Sequence, residues 1–294
     1  MQYVIETDNL VKRYGSVLAV DNVSVHVKKG DVYGLIGKNG AGKTSLLKLI
    51  LGLTMPTSGE VGLFGGENLF DARKKIGSLI EDPALYKGKT AYENMKRFAI
   101  LFGAADEEIY ELLDLVGLGD VGNKKVKAFS LGMKQRLGIA IALLGKPEIM
   151  ILDEPTNGLD PAGIKEVRDL ILKLNGAGVT FMISSHILDE LGKIATVYGI
   201  VSEGKLEEVT ADFVKKSCRR SLIISVDDCE AAEKALKETF GDISLETGEK
   251  SVKILSEVED NSKITEALFG AGVKIYEMKE EILDFEDFFI ERLK

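Results

Sequence analysis

The fold class this sequence predicts is α/β, with a smaller α+β module at the C-terminal end, and three observations carry it. A short apolar strand, Val32 to Ile36, leads through a glycine-rich loop into an apolar-faced helix from Lys43 to Leu51. A second apolar run, Ile149 to Leu152, stops at two neighbouring carboxylates, Asp153 and Glu154. After Lys216 the pattern changes to strand, helix, two strands, helix and strand. A chain of 294 residues suits one large domain and one small one, so the change of pattern divides it into residues 1–216 and 217–294.

The glycine-rich stretch carries the sharpest chemistry. Gly37-Lys-Asn-Gly-Ala-Gly-Lys43-Thr44 fits the pattern G-x-x-x-x-G-K-[ST] between a strand and a helix. Glycines let the backbone curl until successive N–H groups and the helix N-terminus face a phosphate chain. Lys43 then reaches the terminal phosphates and Thr44 a magnesium ion. The candidate nucleotide-binding residues of this P-loop are Gly37, Asn39, Gly40, Ala41, Gly42, Lys43, Thr44 and Ser45.

The acidic pair at the end of the second strand has two readings when taken alone. The chain could simply be re-entering water, or a positive charge could stand opposite the carboxylates. Beside a P-loop the second reading has a specific form: Asp153 holds magnesium, and Glu154 accepts a proton from the water that attacks the terminal phosphate. Binding needs only one acid, so the pair points to hydrolysis. His186, just past the apolar stretch in FMISSHILDE, is placed to bond a phosphate oxygen, whereas His26 within SVHV reads as structural. Ser130, in Phe129-Ser-Leu-Gly-Met-Lys-Gln-Arg136, reads as a helix N-cap, a feature that on its own seldom binds an anion.

Together, in this order, these motifs resemble the ATP-binding subunit of ABC transporters, and the likeness covers the chain to about Lys216. The resemblance implies a P-loop NTPase core with an antiparallel β subdomain and a helical subdomain, about residues 82–144, that carries the signature. It implies ATP and Mg2+ as cofactors, with Thr44, Asp153 and Glu81 on the metal side and Lys43, Glu154 and His186 in catalysis. Tyr14 matches the aromatic residue that stacks on adenine, with a half-buried strand tyrosine as the plainer alternative. Asn157 to Asp160 match the D-loop, which adds Asp160 to the nucleotide-binding set. Ser130 and Gly132 would serve the nucleotide of a partner subunit in a head-to-tail homodimer. The transmembrane permease would be a separate polypeptide, placing this chain on the cytoplasmic face of the membrane.

Two departures narrow the likeness. Leu131 and Met133 replace a glycine and the glutamine of the usual L-S-G-G-Q signature, and Glu81 stands where most members carry glutamine. With TNGLDP and SSHILDE, these features are similar to the bacitracin-resistance and lantibiotic-immunity exporters, whose loads are membrane-active peptides. Two alternatives are an ABC-type ATPase acting on ribosomes or DNA without a membrane partner, and a P-loop kinase. The first usually carries two ATPase halves or a coiled-coil insertion, and the second lacks the signature.

Composition agrees with these expectations. Hydrophobic residues make up 45% and charged residues 29%, a balance typical of a soluble globular protein. No apolar run approaches the roughly 18 residues of a membrane span, and MQYVIETDNLVKRYG does not read as a signal peptide, so the expected compartment is the cytosol. Cys218 and Cys229 lack metal-ligand spacing and read as reduced thiols. The net charge of -9 lies in the tail: from Ser221 onward there are 19 acids and 9 bases, against 28 and 29 before it. Such a tail repels a nucleic-acid backbone, and no nucleic-acid partner is expected.

Within that tail, SLIISVDD, EAAEKALKETFG, two strands around Ile243 and Val252, NSKITEALFGAG and VKIYEMKE follow the β-α-β-β-α-β order of a ferredoxin-like module. A terminal helix is expected in LDFEDFFIERLK. No cluster of chemically functional residues marks this module, which reads as packing or dimer support.

Overall fold

The computed structural model describes residues 3–218, 220–255, 261–282 and 285–293. They form two compact units, one running up to Ala211 and taking in Arg292 and Leu293, the other Asp212–Glu291.

The first unit is built on a six-stranded sheet ordered Lys205–Thr210, Val197–Ser202, Val32–Gly37, Thr180–Ser185, Ile149–Asp153 and Ile76–Leu79. All neighbours pair in parallel except the first two. The central strands Val32–Gly37, Ile149–Asp153 and Thr180–Ser185 are buried at every position. Parallel strands covered on both faces read as continuous apolar runs, which is why Ile149 to Leu152 shows no alternation. A second sheet, antiparallel, joins Tyr3–Tyr14 to Val17–Val23, His26–Lys28 and Ser58–Leu63. One core unites the two sheets: Ile5, Leu10 and Val20 share it with Tyr33, Leu35, Ile149 and Ile151, and with Leu46, Leu47 and Ile50 of helix Lys43–Ile50. His26 ties this region together, with Nδ1 2.8 Å from a Glu208 carboxylate that also accepts from the Tyr33 hydroxyl at 2.9 Å. Burial, reinforced by Glu208, pushes the Tyr33 phenol well up.

Helices Ala91–Phe102, Asp106–Leu115 and Leu131–Leu143 form the helical part. The first begins with a capping box: Glu93 N donates to Thr90 Oγ1 and Thr90 N to the Glu93 carboxylate. The Thr90 amide, with Lys89 and Lys125, holds the Glu93 carboxyl down at about 2. Asn94, fully buried, donates to the carbonyls of Tyr86 and Thr90 and accepts from Tyr86 N, which fixes the loop leading in from the sheet.

The second unit has the sheet order Leu245–Thr247, Ser251–Ile254, Arg220–Val226 and Ile275–Ile282, antiparallel throughout. Helices Cys229–Phe240 and Asn261–Gly270 complete a ferredoxin-like β-α-β-β-α-β module. Its own core contains Leu222, Ile224 and Val226 from the sheet and Ala232, Leu236, Ile264 and Leu268 from the helices. The third element starts later than the sequence suggests. Ile243 N is bonded to Gly241 O in a turn, and the strand begins at Leu245. The terminal helix spans Phe285–Arg292, while Leu283, Asp284 and Lys294 of the expected segment lie outside the described residues. Helix Ala211–Ser217 packs Phe213 edge-on against Phe288, at 6.2 Å between ring centroids, which explains why the second unit begins before Lys216.

Candidate functional site

The glycine-rich loop leaves strand Val32–Gly37 and enters helix Lys43–Ile50 through two left-handed glycines, Gly40 at φ 82° and Gly42 at φ 112°. Gly42 has no freedom to be anything else, because a Cβ there would lie 2.1 Å from the Ala19 carbonyl oxygen. Lys43, only 6% exposed, donates to Gly37 O at 2.7 Å and stands 3.3 Å from Glu154 Oε1. A buried ammonium needs such a counter-charge.

The strand register places the acids opposite the loop. Ile149–Asp153 lies beside Thr180–Ser185, with Asp153 opposite Ser184. Thr44 Oγ1 donates to Asp153 Oδ2 at 2.7 Å, and Ser184 Oγ donates to Asp153 Oδ1. The next residue, Glu154, turns into the left-handed region at φ 49°, unusual for a side chain with a Cβ. Its amide donates to Ser184 O at 3.1 Å and Ser184 Oγ at 2.9 Å, while its Oε2 is 2.7 Å from His186 Nδ1. Glu154 Oε1 is buried and accepts no well-aligned hydrogen bond among the described residues; its partner is the Lys43 ammonium 3.3 Å away, an ion pair.

Lys43, Thr44, Asp153, Glu154 and His186 thus form one connected group. Tyr14, Ser130, Gly132 and Asp160 stand outside it. Tyr14, 46% exposed, ends strand Tyr3–Tyr14 with Lys12 Nζ 4.9 Å from its ring centroid. Ser130 caps helix Leu131–Leu143 by accepting from Met133 N at 3.2 Å. Gly132 faces Leu159, and Asp160 caps helix Pro161–Gly176 by accepting from Gly163 N at 3.1 Å. Asn39 is exposed, and Ala41 and Ser45 are half-buried around the loop. Glu81, in the left-handed region at φ 62°, accepts from Lys48 Nζ at 2.8 Å. That hydrogen bond draws its carboxyl below the usual range.

Sequence reasoning missed two residues here. Ser184 touches both Asp153 and Glu154, and its only signal was a pair of hydroxyls closing an apolar strand. Lys48 carried no signal, since a lysine on an amphipathic helix is ordinarily a solvated one.

Comparison with known proteins agrees with this geometry. The family model described as "ABC transporter" matches residues 20–157. The bacitracin transport ATP-binding protein BcrA of Enterococcus faecalis is 40% identical over 98% of this chain and 96% of its own length. The lantibiotic transport ATP-binding protein SrtF of Streptococcus pyogenes is 48% identical over 69% of this chain and 89% of its own. A solved dimeric ATP-binding cassette, in a post-hydrolysis state with ADP and phosphate, superposes with a TM-score of 0.63 at 26% identity, covering 70% of this chain and 98% of that one. The protein belongs to the ATP-binding subunits of ABC transporters. It is an ATPase of that family and binds ATP.

Proposed function

We propose that this chain powers the export of a membrane-active peptide antibiotic of the bacitracin or lantibiotic type, working as a homodimer on a separate transmembrane permease. The observation that carries the reading is the likeness to BcrA over nearly the whole chain, which takes in the second unit as well as the ATPase. No helix among the described residues is long and apolar enough to cross a membrane, so the membrane path is assigned to the permease, with this chain held peripherally on its cytoplasmic side.

In this reading Lys43 leaves Glu154 and Gly37 O for the terminal phosphates, exchanging one set of negative partners for another. Magnesium fits beside Thr44 and Asp153, hard oxygen donors 2.7 Å apart, because it takes few protein ligands and completes its shell with phosphate and water. When bound, magnesium offsets the charge of the phosphates. Glu154 orients the attacking water and takes its proton, and His186 holds Glu154 Oε2 and offers its ring to the terminal phosphate. Glu81 would add a third carboxylate to the metal side. Tyr14 stacks on adenine, and Ser130, Gly132 and Asp160 serve the dimer interface. Leu131 and Met133 keep the helix cap intact, so the signature retains the Ser130 hydroxyl and its amides.

The test is resistance. Co-expressed with a candidate permease, the wild-type chain is expected to raise the inhibitory concentration of bacitracin or a lantibiotic several-fold, and Glu154→Gln is not. Active ATPase without protection against either peptide class would overturn the cargo. The functional division at about Lys216 carries a separate expectation: a chain ending there folds and binds ATP, since every motif residue precedes the cut. Loss of binding in a truncated chain that retains its circular dichroism would refute it.

A further inference from the structure

Three carboxylates, Asp153, Glu154 and Glu81, lie at the same ends of two neighbouring parallel strands, Ile149–Asp153 and Ile76–Leu79. The strands Ile76–Leu79 and Ile149–Asp153 pair in parallel with Leu79 opposite Leu152, so Glu81 follows its strand by the same two residues as Glu154 follows Leu152. Both acids sit in the left-handed region, at φ 62° and 49°. Helix Lys43–Ile50 answers with two residues one turn apart on a single face: Thr44 bonds Asp153, and Lys48 bonds Glu81 at 2.8 Å. Lys48 also lies within the electrostatic reach of Asp153 and Tyr14. The Glu81 side chain is 65% exposed, and a carboxylate that open would otherwise sample many orientations.

We propose that Lys48 is a positioning residue for the magnesium–nucleotide site: it fixes the Glu81 carboxylate through Oε1 and so presents Oε2 to the metal side. The inference rests on the reading of Glu81 as a metal-side residue. Tethering both acids to the same helix makes the metal side and the P-loop one rigid element. Lys48 also neutralises the third acid, which would otherwise add to the repulsion of ATP.

Positioning and simple charge predict opposite signs. A cation near the site repels magnesium, so its loss through space lowers the magnesium requirement, whereas loss of the tether raises it. The experiment is binding of a fluorescent ATP analogue to the full chain as magnesium is titrated, at 0.5 M potassium chloride to screen long-range charge. Lys48→Met is expected to raise the half-saturating magnesium concentration about two- to fivefold, the range of an exposed ion pair. Lys48→Arg should restore the wild-type value. Glu81→Gln should raise the requirement by itself, and Lys48→Met should add nothing in that background. An unchanged or lowered requirement in Lys48→Met, with Glu81→Gln still shifted, overturns the role of Lys48 alone. An unshifted Glu81→Gln overturns the metal-side reading and the proposal with it. Lys48→Gln serves as a second variant, and thermal unfolding without nucleotide identifies any folding defect.

Discussion

Glu154→Gln is expected to reduce ATP turnover to near background, a loss of at least about 100-fold on the scale of general-base contributions, while ATP still binds. The amide keeps the shape and can bond His186, but it cannot take a proton from water. Glu154 is also the counter-charge 3.3 Å from buried Lys43, so its neutralisation leaves Lys43 readier to receive phosphate. The two effects point the same way: ATP enters, is not hydrolysed, and the closed dimer accumulates. Size-exclusion chromatography with ATP and magnesium, beside a phosphate-release assay, reads both. A variant that hydrolyses at the wild-type rate, or stays monomeric with ATP, would refute the role given to Glu154.

The second large effect is expected at Gly42→Ala, which should cost at least tenfold in nucleotide affinity and lower the melting temperature. At φ 112° a residue with a Cβ is strained, and here the Cβ would sit 2.1 Å from the Ala19 carbonyl oxygen. Backbone on both sides has to move, and the N–H groups that face the phosphates move with it. Gly40→Ala is the control. Its φ of 82° is also left-handed, yet a Cβ there meets nothing within 4 Å, so only the torsional cost remains, about 1 kcal/mol. Fluorescent-nucleotide binding and thermal unfolding of both variants test this. Equal behaviour of the two would show that contact with Ala19 of strand Val17–Val23 does not set the loop's shape.

Much of the protein was legible because its information is local. A loop of glycines between a strand and a helix, a buried apolar run, and a serine capping a helix are each decided by residues within a few positions of one another. The order β-α-β-β-α-β could likewise be read from periodicity alone. By itself the sequence thus determined that the chain has a glycine-rich loop between a strand and a helix, an acidic pair, a helical insertion and a second module. Tertiary structure decided what faces what. Ser184 reaches Asp153 only through the pairing of strands 31 residues apart in sequence, and Lys48 meets Glu81 across 33. Neither contact leaves a periodic or compositional trace, because strand order and register are settled by burial of both sheet faces at once, not by the residues that then find themselves adjacent. The left-handed turns at Glu81 and Glu154 belong to the same category: a short-range propensity would place glycine there, and only the packed strands beneath hold the acids in place.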